Sequence, residues 1–225
     1  MSKEKAKQAA AAAAVAYVEP GMVVGLGTGS TAYFAIERIG RRVAEGLEIE
    51  AVPTSRETEA LARKFGIPLA DEFTRIDVTI DGADEVDPQG NLIKGGGGAL
   101  TREKIVAAAT EREIIIVDEG KLVERLGRFP LPVEVLPFGW RWVRERLAEM
   151  GCTVQLRRRN DEIFVTDNQN YILDCIFKNV ITPEDLETEI NTIPGVVENG
   201  LFVGLTDMVL IGNEQGKVTE RTFGR

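Results

Sequence analysis

The stretch MVVGLGTGSTAYFAIERIGRRV, residues 22–43, decides the fold. Met22 to Leu26 is a short apolar run without alternation, the pattern of a strand covered on both faces of a parallel sheet. Gly27-Thr28-Gly29-Ser30-Thr31 follows it. Phe34, Ile36, Ile39 and Val43 then recur at helical spacing over Ala32 to Val43. A strand, a glycine loop and a helix in that order open an α/β unit.

The same alternation continues on both sides. Upstream, Ala9 to Ala14 predicts a helix of strong helix formers, closed by the turn Glu19-Pro20-Gly21. Downstream, strands are predicted at Leu47–Val52, Ile76–Ile80 and Glu113–Val117. Helices are predicted from Thr54, where Thr54 and Glu57 read as a capping box, to Phe65, and from Leu100 to Ala109. Near residue 128 the texture changes. Phe129-Pro130-Leu131-Pro132 and Pro137 make a proline-rich junction. After it come a strand (132–136), a helix (139–150), two strands of a hairpin (152–158 and 162–166) with a third extended run (171–177), a helix (183–191) capped by Thr182, and a last extended pair, Val196-Val197. Strand-helix-strand-strand-helix-strand is the split βαβ order. The expected fold is therefore α/β, a mostly parallel Rossmann-like sheet domain (1–128 and 201–225) carrying an inserted ferredoxin-like α+β domain (129–200). Leu201–Gly204 and Met208–Ile211 are read as strands returning to the first domain.

Composition narrows the chemistry. The chain has 225 residues, 44% hydrophobic and 28% charged, with a net charge of −9. That balance argues against non-specific nucleic-acid binding and against a polybasic membrane surface. No window approaches the roughly 20 apolar residues of a membrane span. There is no histidine. Its absence removes Ser-His-Asp and Cys-His machinery and His-ligated metals, so proton chemistry near neutral pH falls to carboxylates, lysines or tyrosines. Cys152 and Cys175 are too few for a disulfide scaffold and read as reduced, buried thiols, which fits a cytoplasmic or comparably reducing compartment.

Three segments carry unusual chemistry, and each falls at a strand's carboxyl end, where ligands sit in such sheets. Residues 25–31 combine three glycines with Thr28, Ser30 and Thr31 ahead of a helix. Backbone N–H groups and a helix N-terminus suit a phosphate, but the spacing is neither a dinucleotide fingerprint nor a Walker loop. A small phosphorylated metabolite fits; so does a tight turn with an N-cap at Ser30 or Thr31. Asp81, Asp84, Glu85 and Asp87 crowd four carboxylates into seven residues. They read either as a solvated turn or as carboxylates handling the hydroxyl protons of a polyol, with Gly82 allowing a sharp turn that aims Asp81 and Asp84 inward. Lys94 precedes four glycines, Gly95 to Gly98. Such a run is entropically expensive and useless for packing, and its N–H groups can cradle an oxyanion. Glu103 lies in the first turn of the following helix, where acids are favoured anyway, and burial would make it a general base. The set suits proton transfer next to the carbonyl of a sugar phosphate, with no metal or cofactor signature.

These motifs closely resemble the ribose-5-phosphate isomerase A family. The resemblance is carried by GLGTGST (25–31), TSRETEALA (54–62), DGADEVDP (81–88), KGGGGALTREKI (94–105), DEGKLVERLG (118–127) and PLPVEVLPFGW (130–140). It implies interconversion of D-ribose 5-phosphate and D-ribulose 5-phosphate in the non-oxidative pentose phosphate pathway, through a cis-enediolate and without metal or cofactor. By motif position it implies Glu103 as the base between C1 and C2. Asp81 would assist ring opening, and Asp84 and Lys94 would hold the developing enediolate oxygen. The substrate-binding segments it implies are Thr28, Gly29, Ser30 and Thr31, then Gly82 and Ala83, then Gly95, Gly96 and Gly97, and Lys121, with Lys7 as an extra phosphate contact. The family forms dimers, sometimes tetramers, partly through the smaller domain. A sugar-phosphate sensor on a related fold, which binds without turnover, is the alternative; it would keep the Thr28 to Thr31 cradle but not need Glu103 and Asp81. A related amino-sugar-phosphate deaminase is disfavoured by the missing histidine.

Overall fold

The structure is a computed structural model and describes residues 2–177 and 182–224. In chain order its elements begin α1 (Ser2–Val15), β1 (Val23–Leu26), α2 (Ala32–Ala44), β2 (Glu50–Pro53), α3 (Arg56–Lys64), β3 (Ile76–Asp81), β4 (Glu85–Val86), β5 (Leu92–Ile93), α4 (Leu100–Ala108), β6 (Thr110–Asp118) and a 3-10 turn, Glu119–Lys121. They continue with β7 (Leu131–Val135), α5 (Trp140–Glu149), β8 (Thr153–Leu156), β9 (Arg158–Arg159), β10 (Glu162–Ile163), β11 (Tyr171–Ile176), α6 (Pro183–Asn191), β12 (Val196–Asn199), β13 (Leu201–Phe202), β14 (Met208–Gly212) and β15 (Val218–Thr222). Two units emerge: Met1–Ala83 with Arg102–Leu122 and Gly204–Arg225, and Asp84–Thr101 with Val123–Val203.

The larger unit is built on a six-stranded sheet in the order β15-β14-β6-β3-β1-β2. Every pairing is parallel except the edge, where β15 runs antiparallel to β14. The apolar runs that mark β1, β3 and β6 in the sequence are buried here, with Val24, Leu26, Val78, Ile80, Ile114 and Ile116 in one core. The alanines of α1 have a packing reason. Ala6, Ala10, Ala11 and Ala14 are buried on one face, and the helix lies so close to the sheet that a Cβ on Gly212 would sit 2.0 Å from the Ala6 carbonyl oxygen. Helix α2 buries Ala35, Ile36 and Ile39, as its spacing predicts. The cap of α3 differs from the expected one. Ser55, not Thr54, is the N-cap and accepts from the Thr58 N–H, because the Thr54 hydroxyl donates to the Leu26 carbonyl at 3.0 Å.

The smaller unit holds an antiparallel four-stranded sheet, β12-β7-β11-β8. With α5 and α6 this is the βαββαβ order read from the sequence. Val133, Val135, Val143, Leu147, Leu173 and Ile190 form its core together with the thiols of Cys152 and Cys175, both free. Beside it a three-stranded sheet runs β13-β5-β4. Two assignments change here. Leu201–Phe202 pairs with Leu92–Ile93 rather than returning to the large sheet, and residues 84–101 group with the smaller unit because β4 and β5 are pinned by that pairing and by the Val123 N–H on the Val86 carbonyl. The expected 152–158/162–166 hairpin is also redistributed: β8 pairs with β11, and only the two-residue strands β9 and β10 face each other.

Candidate active site

In the larger unit β1, β3 and β6 lie side by side in parallel, so their carboxyl ends share one edge. The glycine loop leaves β1 there. Its fit under Asp81 requires glycine at position 27, where a Cβ would fall 2.1 Å from Asp81 Oδ1 and 2.5 Å from the Asp81 Cα. Asp81, the last residue of β3, is 1% exposed. Its Oδ1 accepts the N–H of Thr28 at 3.1 Å and of Gly82 at 2.6 Å. Two backbone donors on one oxygen fix the orientation of the carboxylate. Gly82 and Ala83 are half-buried.

The Thr28 hydroxyl points to a cluster the sequence reading did not single out. It sits 2.7 Å from Thr54 Oγ1, 2.8 Å from Ser55 Oγ and 3.1 Å from Thr58 Oγ1. Thr58 in turn donates to the Gly27 carbonyl at 2.9 Å. Thr54, Ser55 and Thr58 are all buried, and the signal for them was the TSRET run at the end of β2. Gly29 has φ +115°, and Ser30 accepts from Lys7 Nζ at 2.8 Å. Thr31 caps α2 without a side-chain hydrogen bond. Lys3, Lys7, Gly29, Ser30, Tyr33 and Phe34 help line a cavity of about 640 Å³. The tight turn and an open cavity therefore coexist at one loop.

Helix α4 ends beside the start of β3, where the Ile76 N–H donates to the Ala109 carbonyl. Val106 packs with Val52 and Ile76. Its first turn therefore points back toward the carboxyl edge and carries Glu103 there, 5% exposed. Lys121 follows β6 at the same edge, closing a turn in which Asp118 accepts from Gly120 at 3.0 Å.

In the smaller unit the acidic segment divides by role. Glu85 is 1% exposed and accepts from the N–H groups of Gly127 and Phe129. Asp87 accepts from Gln89 and Asn91, closing its own loop. Both are structural. Asp84 instead accepts the Gly96 N–H through Oδ2 at 2.7 Å. Lys94 is 2% exposed; its backbone N–H donates to the Gly200 carbonyl at 2.9 Å, and its Nζ lies 5.4 Å from the Phe202 ring centroid. Gly95 and Gly98 have φ of +98° and +89°, and Gly96 and Gly97 are exposed.

The profile of ribose 5-phosphate isomerase A (phosphoriboisomerase A) matches residues 50–216. The chain belongs to the ribose 5-phosphate isomerase A family. It is 51% identical to a ribose-5-phosphate isomerase A of Bacillus mycoides over 93% of this chain and 96% of that protein. Ribose 5-phosphate isomerase A from Methanocaldococcus jannaschii is 45% identical, with a TM-score of 0.92 over 97% of this chain and 99% of that one. A D-ribose-5-phosphate isomerase in complex with phospho-erythronic acid is 43% identical, with a TM-score of 0.95 over 99% and 100%. As a member of the ribose 5-phosphate isomerase A family the chain is an enzyme, an aldose-ketose isomerase acting on D-ribose 5-phosphate and D-ribulose 5-phosphate. The non-catalytic sensor is not favoured. Among the described residues no helix is long and apolar enough to cross a membrane.

Proposed function

We propose that this isomerisation runs through a cis-enediolate, with Glu103 moving the proton between C1 and C2. The observation that carries the assignment is the burial of Glu103, 5% exposed in the first turn of α4, since a desolvated carboxylate is a stronger base than one in water. Asp81, oriented by two backbone N–H groups, assists opening of the furanose ring. Asp84, which holds the Gly96 N–H, positions the enediolate oxygen and the buried Lys94 stabilises it, with the Gly95 to Gly97 backbone supplying fixed dipoles. Thr28 to Thr31, Gly82 and Ala83, Lys121 and Lys7 hold the rest of the sugar phosphate. Phospho-erythronic acid supports the reading, because it combines a phosphate with a planar carboxylate whose charge resembles an enediolate.

Replacing Glu103 by Gln keeps the shape and removes the base. The expected result is a loss of turnover of about 1,000-fold or more, with solvent deuterium no longer entering C1 or C2 and phosphate-ligand binding kept. Retained turnover in Glu103→Gln would assign the base elsewhere.

The same reading places the enzyme in the cytoplasm, in the non-oxidative pentose phosphate pathway, as a homodimer or a tetramer. Supporting the first, both thiols are free in the protein interior. Supporting the homodimer, the smaller unit exposes Leu136, Phe138 and Trp142, with Phe138 92% accessible, a surface suited to a second copy of the chain.

A further inference from the structure

Arg157 stands between β8 and β9, held in place by its N–H on the Ile172 carbonyl and by the Phe164 N–H on its own carbonyl. Its side chain reaches across 62 positions of sequence to the glycine run. Nη1 donates to the Gly95 carbonyl at 2.8 Å and to the Gly96 carbonyl at 3.2 Å. Nε and Nη2 grip the Asp174 carboxylate at 2.9 and 2.5 Å. The pair is largely buried, with side-chain exposures of 13% and 21%. The guanidinium also lies 5.9 Å from the Phe164 ring centroid. That ring covers Gly98, where a Cβ would sit 2.4 Å from ring Cζ.

We propose that Arg157 is a positioning residue for the isomerisation: anchored by Asp174, it holds two consecutive glycine carbonyls and thereby aims the Gly96 and Gly97 N–H groups. The reason is peptide geometry. In a planar trans peptide the C=O of one residue and the N–H of the next point in opposite directions. The first peptide shows both ends of this arrangement, since its carbonyl is on Arg157 and its N–H, that of Gly96, is on Asp84 Oδ2 at 2.7 Å. The second carbonyl, that of Gly96, is also on Arg157, so the Gly97 N–H is turned away from the guanidinium too. A glycine run left to itself samples many orientations. One rigid cation with a fork of donors removes that freedom and polarises both peptides toward donating. Lysine cannot replace it, because a single ammonium cannot grip a carboxylate along one edge and two carbonyls along another. Arg158 and Arg159 beside it are exposed, so a run of three arginines contains one that is committed inward.

The inference rests on the reading of Gly95 to Gly97 as an oxyanion cradle, and steady-state kinetics with ribose 5-phosphate test the two separately. Arg157→Lys and Arg157→Ala are measured with Glu103→Gln as the reference. The expected result is a fall in kcat of about 10- to 100-fold in both arginine variants, with KM moved by less than about threefold, the signature of an interaction made mainly in the transition state. Thermal midpoints should stay within a few degrees of the parent for Arg157→Lys. Added guanidinium ion should restore part of kcat to Arg157→Ala and none to Glu103→Gln. Parental kcat in Arg157→Lys, a loss expressed in KM, or a loss that follows the thermal midpoint without guanidinium rescue would each overturn the inference. If Glu103→Gln is inactive while Arg157→Lys is normal, only the role of Arg157 is lost. If Glu103→Gln keeps its turnover, the base lies elsewhere and the proposed mechanism that the cradle serves is at fault, whatever the arginine variants show.

Discussion

The enzyme carries two glycine-rich loops, and they are held by opposite chemistry. The loop after β1 rests on neutral hydroxyls: Thr28, Thr54, Ser55 and Thr58 bond to one another and to the carbonyls of Leu26 and Gly27. The run after β5 rests on charges: Asp84 accepts one of its N–H groups, and Arg157, paired with Asp174, takes two of its carbonyls. A hydroxyl both donates and accepts, so a hydroxyl cluster satisfies itself without fixing the direction of any dipole. A guanidinium only donates and a carboxylate only accepts, so the second loop has its polarity dictated. In the proposed mechanism the first loop meets a phosphate that is charged throughout, and the second meets an oxyanion that exists only in mid-reaction. Fixed polarity is worth most where charge develops.

The most severe way to break the comparison is to add one methyl group to each loop. In Gly27→Ala the new carbon would meet the Asp81 backbone at 2.5 Å, and a backbone atom of a central strand cannot step aside. We expect kcat/KM to fall by about 100-fold or more, together with the thermal midpoint. In Gly98→Ala the obstacle is the Phe164 ring at 2.4 Å, and the residue also has φ +89°. The backbone part of that penalty is about 1–2 kcal/mol. The ring part should disappear in the double variant Gly98→Ala/Phe164→Ala, whose loss of stability should be smaller than the sum of the two single losses. Simple additivity in that cycle would show that the ring is not what the glycine accommodates.

A second, smaller effect is expected at Glu134, which ties down the far end of the segment carrying the glycine run. Its carboxylate is fully buried and accepts from Thr101 through one oxygen and from Thr166, Asn168 and Asn170 through the other. Glu134→Gln turns one acceptor into a donor. Thr101 can answer by rotating its hydroxyl to accept, whereas on the other side the Asn168 and Asn170 amides still donate, so the amide should settle with its nitrogen toward Thr101. Chemical denaturation should then show a loss of about 1–3 kcal/mol. Glu134→Leu leaves all four donors without an acceptor and should lose more. Equal losses in the two variants would mean that the four donors matter less than the shape of the side chain.

What could be read from the sequence follows the same division between local and distant. The strands β1, β3 and β6 announce themselves as apolar runs, and the alternation with helices fixes a parallel sheet. Asp81 and Lys94 stand out because each is a charged residue at the end of a strand beside glycine, and Glu103 because it opens the helix that follows the glycine run. The supports of the second loop do not stand out. Arg157 is one of three consecutive arginines, and its inward turn is set by Asp174 and by carbonyls 62 and 61 positions away. The edge strand β15 is not legible in the sequence because VTERT is polar and almost wholly exposed; its strand character comes from pairing with β14, not from any pattern of its own. Strands β4, β5 and β13 are two residues long, too short to display a period of two. At the start of α3 two adjacent hydroxyl residues compete for the cap, and the choice of Ser55 depends on the Leu26 carbonyl, which local sequence does not place.

The mildest test touches the neutral loop. Thr58 is 3% exposed; its hydroxyl donates to the Gly27 carbonyl at 2.9 Å and accepts from Ser55 at 3.1 Å. Thr58→Val keeps the shape and removes these bonds together with the 3.1 Å contact to the Thr28 hydroxyl, and the expected cost is about 1–2 kcal/mol of stability. Thr58→Ser keeps the hydroxyl and should lose less, chiefly the packing of one methyl group. Because the remaining hydroxyls can reorient around the gap, the loop should keep its course and kcat should change by less than about threefold. The contrast with Arg157→Lys is then complete. One substitution lowers stability and spares the rate, and the other lowers the rate and spares stability. A Thr58→Val enzyme that melts normally but turns over as slowly as Arg157→Lys would show that hydroxyls direct the first loop as strictly as charges direct the second, and the distinction between the two loops would fall.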